Sequence, residues 1–461
     1  MSAGLCPEKL AAFTESFKQV PQYSLAQNIA TSGDLLQAYL QRKVVQETSQ
    51  VFEHVIPAEG KPVTNQKNTG RCWIFSCLNV MRLPLMKKFN VEEFEFSQSY
   101  LFFWDKIERC FYFLNAFIEV AQRTGEEEEP FDGRLLQFLL TNPANDGGQW
   151  GMLVNLIEKH GVMPKKCFPE SYSSEASKAM NSVLNHKIRE YCYRLQKMVK
   201  NGSSNEELSV EKDNMIEEVF RIVNICLGTP PETFTWEFRD KDKNYQKIGP
   251  LTPLQFYTEH VKPFFNMEDK VCLVNDPRSF NPYGKLYTVE FLNNMVNAGE
   301  TLYINQPIEV LKQSAAASIK DGEAVWFGSD VEKDFCSKLG INDPKILNRE
   351  LLFGVSLGNF GKAERLMFGE SQMTHAMVLT GFSEKFGTQV GNEAGFEKWR
   401  VENSWGEDSG NKGYLVLLDD WFTEHVFEVV VDKKYISAEI LKIMEQEPKV
   451  LPAWDPMGCL A

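Results

Sequence analysis

The chain changes its hydrophobic rhythm along its length. Early and middle segments place apolar residues at helical spacing, and the last third alternates and clusters them as strands do. Residues 1–55 read as a helical lead-in of mixed polarity, ended by turn formers at Pro57, Gly60 and Pro62. The polar loop Thr64–Arg71 follows. Cys72–Met81 is then almost wholly apolar and predicts a buried helix, which Pro84 is expected to end or kink. In the middle, Ile188, Tyr191, Leu195 and Met198 share one helical face, and Asn201–Asn205 breaks the pattern. Met215, Val219, Ile222, Val223 and Cys226 stripe a second helix, stopped by Gly228 with Pro230-Pro231 beyond. Met377–Phe382, Lys398–Glu402, Tyr414–Leu418 and Phe427–Val431 read as strands separated by Gly-containing turns. Helix early and strand late fits an α+β fold with segregated layers better than an alternating βαβ sheet.

With 461 residues, two or three units are expected, or one core with large insertions. A hydrophobic fraction of 43% and a charged fraction of 24% suit a sizeable globular core. The net charge of −14 argues against a main role in holding nucleic acid, which needs clustered Lys and Arg. The sharpest acidic run, Glu126–Glu129, reads as a solvated loop. The first residues show no basic stretch followed by an apolar one, and no segment approaches the roughly 18 apolar residues that span a bilayer. A cytoplasmic protein without membrane contact is expected. The ten cysteines and six histidines are scattered without metal-ligand spacing, so reduced thiols and no metal site are expected.

One set of residues carries chemistry. Cys72 stands at a loop-to-helix junction, where free N–H groups and the helix dipole favour a thiolate. Gly70 permits a tight backbone approach, and Trp73 is placed to wall the site from water. Gln66, six residues upstream, can fold back so that its amide and the Cys72 N–H converge as an oxyanion hole. His375 enters the Met377–Phe382 strand, and Asn403, 28 residues later, follows the next one. An Asn oxygen accepting from an imidazole N–H fixes the tautomer of a general base, and Trp405 can shield that bond. Each residue alone is ordinary; Gln66…Gly70-Arg71-Cys72-Trp73 together with His375 and Glu402-Asn403-Ser404-Trp405-Gly406 is far more specific.

In these motifs the chain resembles the papain superfamily of cysteine peptidases. Its catalytic Gln, Cys, His and Asn map in order onto Gln66, Cys72, His375 and Asn403. Asn145-Asp146-Gly147-Gly148-Gln149, before an apolar helix with Trp150, Leu153, Leu156 and Ile157, resembles the family's double-glycine segment. There Asp146, Gly147 and Gly148 would bind substrate, the backbone pairing with an extended peptide. The spacing from Cys72 to His375 is 303 residues, against about 130 in the family's ordinary members. Large, mainly helical insertions are therefore implied. Asn68 stands where secreted members carry a disulfide cysteine. The implied fold is two-lobed and papain-like. Residues 1–55 form the N-terminal segment, 56–170 a catalytic helical lobe and 171–345 a mainly helical insertion. Residues 346–450 form a β lobe and 451–461 a C-terminal tail in the cleft.

The sequences around Gly70–Asn79 and Trp454–Ala461 resemble a cytosolic branch of that family. The resemblance implies an aminopeptidase acting on peptides and small amides, a homohexameric ring, and a tail whose Ala461 lies near the substrate's amine. No metal or organic cofactor is implied. Competing readings are an acyl transferase using the same thioester, an inactive scaffold, and a nucleic-acid-binding protein.

Overall fold

In a computed structural model, residues 4–124, 130, 132–390 and 393–460 are described. Glu126–Glu129 and Ala461 lie outside them. The fold is mixed α and β. Among the described residues, twelve strands share one sheet, and no helix is long and apolar enough to cross a membrane.

The helix Cys72–Phe89 runs through the core. Fourteen of its residues are buried, because it is apolar on every side and meets packing on every side. Contrary to expectation, Pro84 does not end it. The helix continues to Phe89, burying Leu85 and Met86, and ends at Asn90 in a left-handed conformation (φ 50°) that returns its N–H to Met86. That burial offsets the hydrogen bond a proline removes.

The middle helices form as their stripes imply. Lys178–Lys200 buries Ile188, Tyr191 and Leu195, and Asn205–Leu227 buries Met215, Val219 and Val223. Ser204 and Glu207 form a reciprocal capping box at the start of the second, and Gly228 (φ 84°) stops it. Residues 171–345 depart from the mainly helical expectation after Leu227. A two-stranded hairpin, Phe234–Arg239 with Tyr245–Leu251, comes next. Lys270–Val274, Lys285–Val289, Tyr303–Asn305 and Val325–Ser329 then join the large sheet. These strands are buried on both faces, so their residues do not alternate and offer no period-two signal.

At the centre of the sheet, Val325–Ser329 lies between Val426–Asp432 and His375–Val390, antiparallel to both. His375–Val390 then pairs with Glu393–Glu402, and that strand with Tyr414–Leu418. This order fixes the site. His375 opens one strand opposite Ser329, and Asn403 follows the end of the neighbouring strand.

Candidate active site

The loop before the Cys72 helix is bound to the segment that follows Glu402. The Gln66 N–H donates to Ser404 O (2.8 Å), and the Gly406 N–H to Thr64 O (2.9 Å). Gly406 has φ +82°, and a Cβ there would meet Asn65 Nδ2 at 2.6 Å, so glycine is required. The Gln66 side chain is held at both ends. Its Oε1 accepts from Ser404 Oγ (2.6 Å), and its Nε2 donates to Thr69 O (2.7 Å). The second Nε2 hydrogen is left for the cavity that Gln66 and Cys72 both line.

The helix that carries Cys72 grips the strands that present His375 and Asn403. Ser76 Oγ, one turn after Cys72, donates to Ala376 O (2.8 Å), and the Ala376 backbone also hydrogen-bonds the Cys72 thiol. Arg82, a further turn and a half on, donates to Glu402 Oε1 (2.9 Å) in a fully buried ion pair. The neighbours of His375 and Asn403 are thereby tied to the helix of Cys72, although some 300 residues separate them in sequence.

His375 Nε2 donates to Asn403 Oδ1 (2.9 Å), which also accepts from the Ser404 N–H (2.8 Å). The oxygen's role as acceptor puts the proton on Nε2 and leaves Nδ1 unprotonated, and His375 lines the same cavity as Cys72. Trp405 covers this pair, with its ring 4.8 Å from the imidazole. Burial pushes the Cys72 thiol up to about 11 against the lowering contact of the Ala376 backbone, and pulls the His375 imidazole down to about 4 against Asn403. Neither group therefore carries a charge alone near neutral pH. A thiolate–imidazolium pair forms only by moving the proton from one to the other, where mutual attraction and the helix N-terminus offset the lost solvation.

Trp73 does something other than wall the cavity, which it does not line. It is fully buried, donates from Nε1 to Asp146 O (2.7 Å), and forms a floor under Gly148. A Cβ on Gly148 would meet the indole at 2.6 Å. Asp146 lines the cavity, but its carboxylate is engaged within the protein. Its carboxylate accepts from Lys106 Nζ (2.7 Å), Asn181 Nδ2 (2.7 Å) and Ser177 Oγ. Burial raises its pKa, but Lys106 and these donors outweigh that and hold it well below the usual carboxylate range. Gly147 O accepts from Arg109 (2.7 Å). Of Asp146, Gly147 and Gly148, all expected to bind substrate, Gly148 alone has neither backbone group engaged among the described residues.

A cavity of about 790 Å³ brings together Gln66, Cys72, Gly147 and His375 with Ala453–Asp455 and Gly458–Leu460 of the tail. Ala461 lies outside the described residues. Sequence reading missed Ser76, Arg82, Arg71 and Ser404. Arg71, wholly buried, donates to Glu170 (2.8 Å) and fixes the helix start. Partners 99 and 320 residues away leave no local signal. Ser404, inside the Asn-Ser-Trp-Gly motif, was the one within reach.

Comparison with known proteins gives the family and the fold. The family model described as Peptidase C1-like family matches residues 4–458. Bleomycin hydrolase of Gallus gallus is 70% identical over 458 residues, covering 99% of each chain, and that of Homo sapiens is 64% identical over 460 residues, covering 100% and 99%. Aminopeptidase C of Listeria innocua is 39% identical over 463 residues, covering 100% of each. A crystal structure of pepw from Lactobacillus rhamnosis superposes with a TM-score of 0.93 at 40% identity, covering 100% of both chains.

Proposed function

The chain belongs to the Peptidase C1-like family, and from that membership we propose how its residues divide the work of a cysteine aminopeptidase. The Cys72 thiolate attacks the carbonyl of a peptide's first residue. The resulting oxyanion takes hydrogen bonds from the Cys72 N–H and the second Gln66 Nε2 hydrogen. His375 passes the thiol's proton to the leaving amine, then activates water to hydrolyse the thioester. Asn403 keeps the imidazole in the productive tautomer. Small amides of the kind the relatives' name implies fit the same cycle.

The observation that carries this reading is the shared cavity, in which tail residues Ala453–Leu460 stand beside Cys72 and His375. A cleft filled on one side by its own chain leaves room for few substrate residues on the N-terminal side of the scissile bond, which makes an exopeptidase of an endopeptidase scaffold. We read residues 56–170 and 346–450 as the two papain-like lobes meeting at this cavity. Ten cysteines with no disulfide between them suit a reducing cytoplasm. A time course on a free peptide and its N-acetylated twin tests the function. Single residues should leave the free peptide in order, and the acetylated one should resist. Equal cleavage of both would contradict the aminopeptidase reading, and transfer to an added amine in place of hydrolysis would favour the acyl transferase.

The homohexamer implied by the sequence draws support from the N-terminal helices. Pro7–Lys18 and Pro21–Ser32 bury no residue, and Leu10, Phe13, Phe17, Leu25 and Ile29 stand exposed. Such a bare apolar face suits burial against another copy. Removing residues 1–33 should lower the sedimentation coefficient to that of a smaller species. An unchanged coefficient would show that these helices do not hold the assembly.

A further inference from the structure

We propose that Arg278 and Gln149 are positioning residues that set cleavage specificity by pinning the C-terminal tail at two points, an inference that rests on the gating role given to the tail above. Arg278 is buried, and Asp276 presents it. Its Nε donates to Asp276 Oδ1 (2.8 Å) and one terminal nitrogen to Asp276 Oδ2 (2.7 Å). The guanidinium's remaining donors reach Asp455 in bidentate fashion, at 2.7 and 3.1 Å. Asp455 is the one charged residue between Pro452 and Leu460.

A buried ion cluster is a poor way to gain stability, because desolvation consumes most of the attraction. What the planar fork adds is register, since a bidentate pair tolerates little sliding or rotation. The same carboxylate shapes the tail beyond the pin. Asp455 Oδ1 accepts from the Met457 N–H (2.9 Å), and the Gly458 N–H returns to Asp455 O (2.8 Å). The turn passes Val289 so closely that a Cβ on Gly458 would meet its Cγ1 at 2.8 Å.

The second pin stands beside the glycine segment. Gln149, wholly buried and next in sequence to Gly148, donates from Nε2 to Cys459 O (2.5 Å). That is the only partner of its amide, since Oε1 has none among the described residues. If the tail left, a buried amide would lose its one hydrogen bond, so Gln149 favours the seated tail. Between the two pins the tail has no freedom to shift along the cleft, and the space left for substrate ahead of Cys72 is fixed.

The test compares the full chain, Asp455→Ala, Asp455→Asn, Gln149→Met and a chain lacking 458–461 on an N-acetylated and a free peptide. Asp455→Ala should raise internal cleavage of the acetylated peptide by about tenfold or more, toward the level of the shortened chain. It should raise KM for the free peptide with little change in kcat. Asp455→Asn, which keeps shape and the turn cap, should fall between, and Gln149→Met should move in the same direction. In the shortened chain Asp455→Ala should add nothing. A gain of internal cleavage is a readout that mere loss of stability does not produce. If the shortened chain cuts internally while Asp455→Ala and Gln149→Met keep the wild-type products, the pins are refuted and the gating reading stands. If the shortened chain also keeps wild-type products, both fall.

Discussion

Replacing Cys72 with Ala is expected to lower turnover by about 10⁴-fold or more while leaving the fold intact. The change removes one sulfur from the first turn of a helix that is held by other means. Fourteen of its residues are buried, Ser76 and Arg82 still bind the facing strands, and Arg71 still pairs with Glu170. No other described thiol lines the catalytic cavity except that of Cys459, which belongs to the tail. His375→Ala should cost nearly as much, because the thiol then has no proton acceptor in a site that holds it up to about 11. Asn403→Ala should cost only about 10- to 100-fold, the worth of one hydrogen bond to a group that becomes charged. Steady-state kinetics with circular dichroism on each variant checks the order. A folded Cys72→Ala protein that keeps substantial peptidase activity would refute the nucleophile, and an Asn403→Ala loss equal to that of His375→Ala would mean Asn403 does more than orient.

Deleting residues 458–461 is expected to change what the enzyme cuts rather than whether it cuts. Cys72, His375, Asn403 and Gln66 are held by contacts among the 64–79 and 375–406 segments, and none of these involves the tail. The tail's contribution is occupancy. Gly458, Cys459 and Leu460 line the cavity, and Cys459 is fastened to Gln149. With them gone, an extended peptide can continue on the N-terminal side of the scissile bond, beside the glycine segment in which Gly148 keeps both backbone groups unpaired among the described residues. Mass spectrometry of digests should show dipeptides, tripeptides and internal fragments replacing the ladder of single residues. A ladder identical to that of the full chain would remove the tail from the specificity mechanism.

The four positions proposed for catalysis could be singled out because each sits in a local motif with its own chemistry: a helix start, a strand entry, a strand exit. Helix stripes such as Met215–Val219–Val223 were legible for the same reason, since 3.6-residue periodicity is a local property. The strands of 270–329 were not, because burial on both faces erases alternation. The passage of the helix through Pro84 was overruled by tertiary burial. Asp146 illustrates a different limit. Its place beside the glycine pair marked it for substrate, yet Lys106, Ser177 and Asn181 lie on elements whose approach no local pattern reports. Arg278, far from every motif, gave no signal at all.

The proposal that Cys72 and His375 share a proton is tested most directly by the pH dependence of Cys72 alkylation by iodoacetamide, followed by peptide mapping in the wild-type protein and in His375→Ala. Exchange between the two should keep the wild-type sulfur reactive down to mildly acidic pH, and loss of the imidazole should move its reactivity several units toward alkaline pH. Superimposable profiles in the two proteins would mean that the imidazole does not touch the sulfur's ionisation, and the proposed pair would not exist.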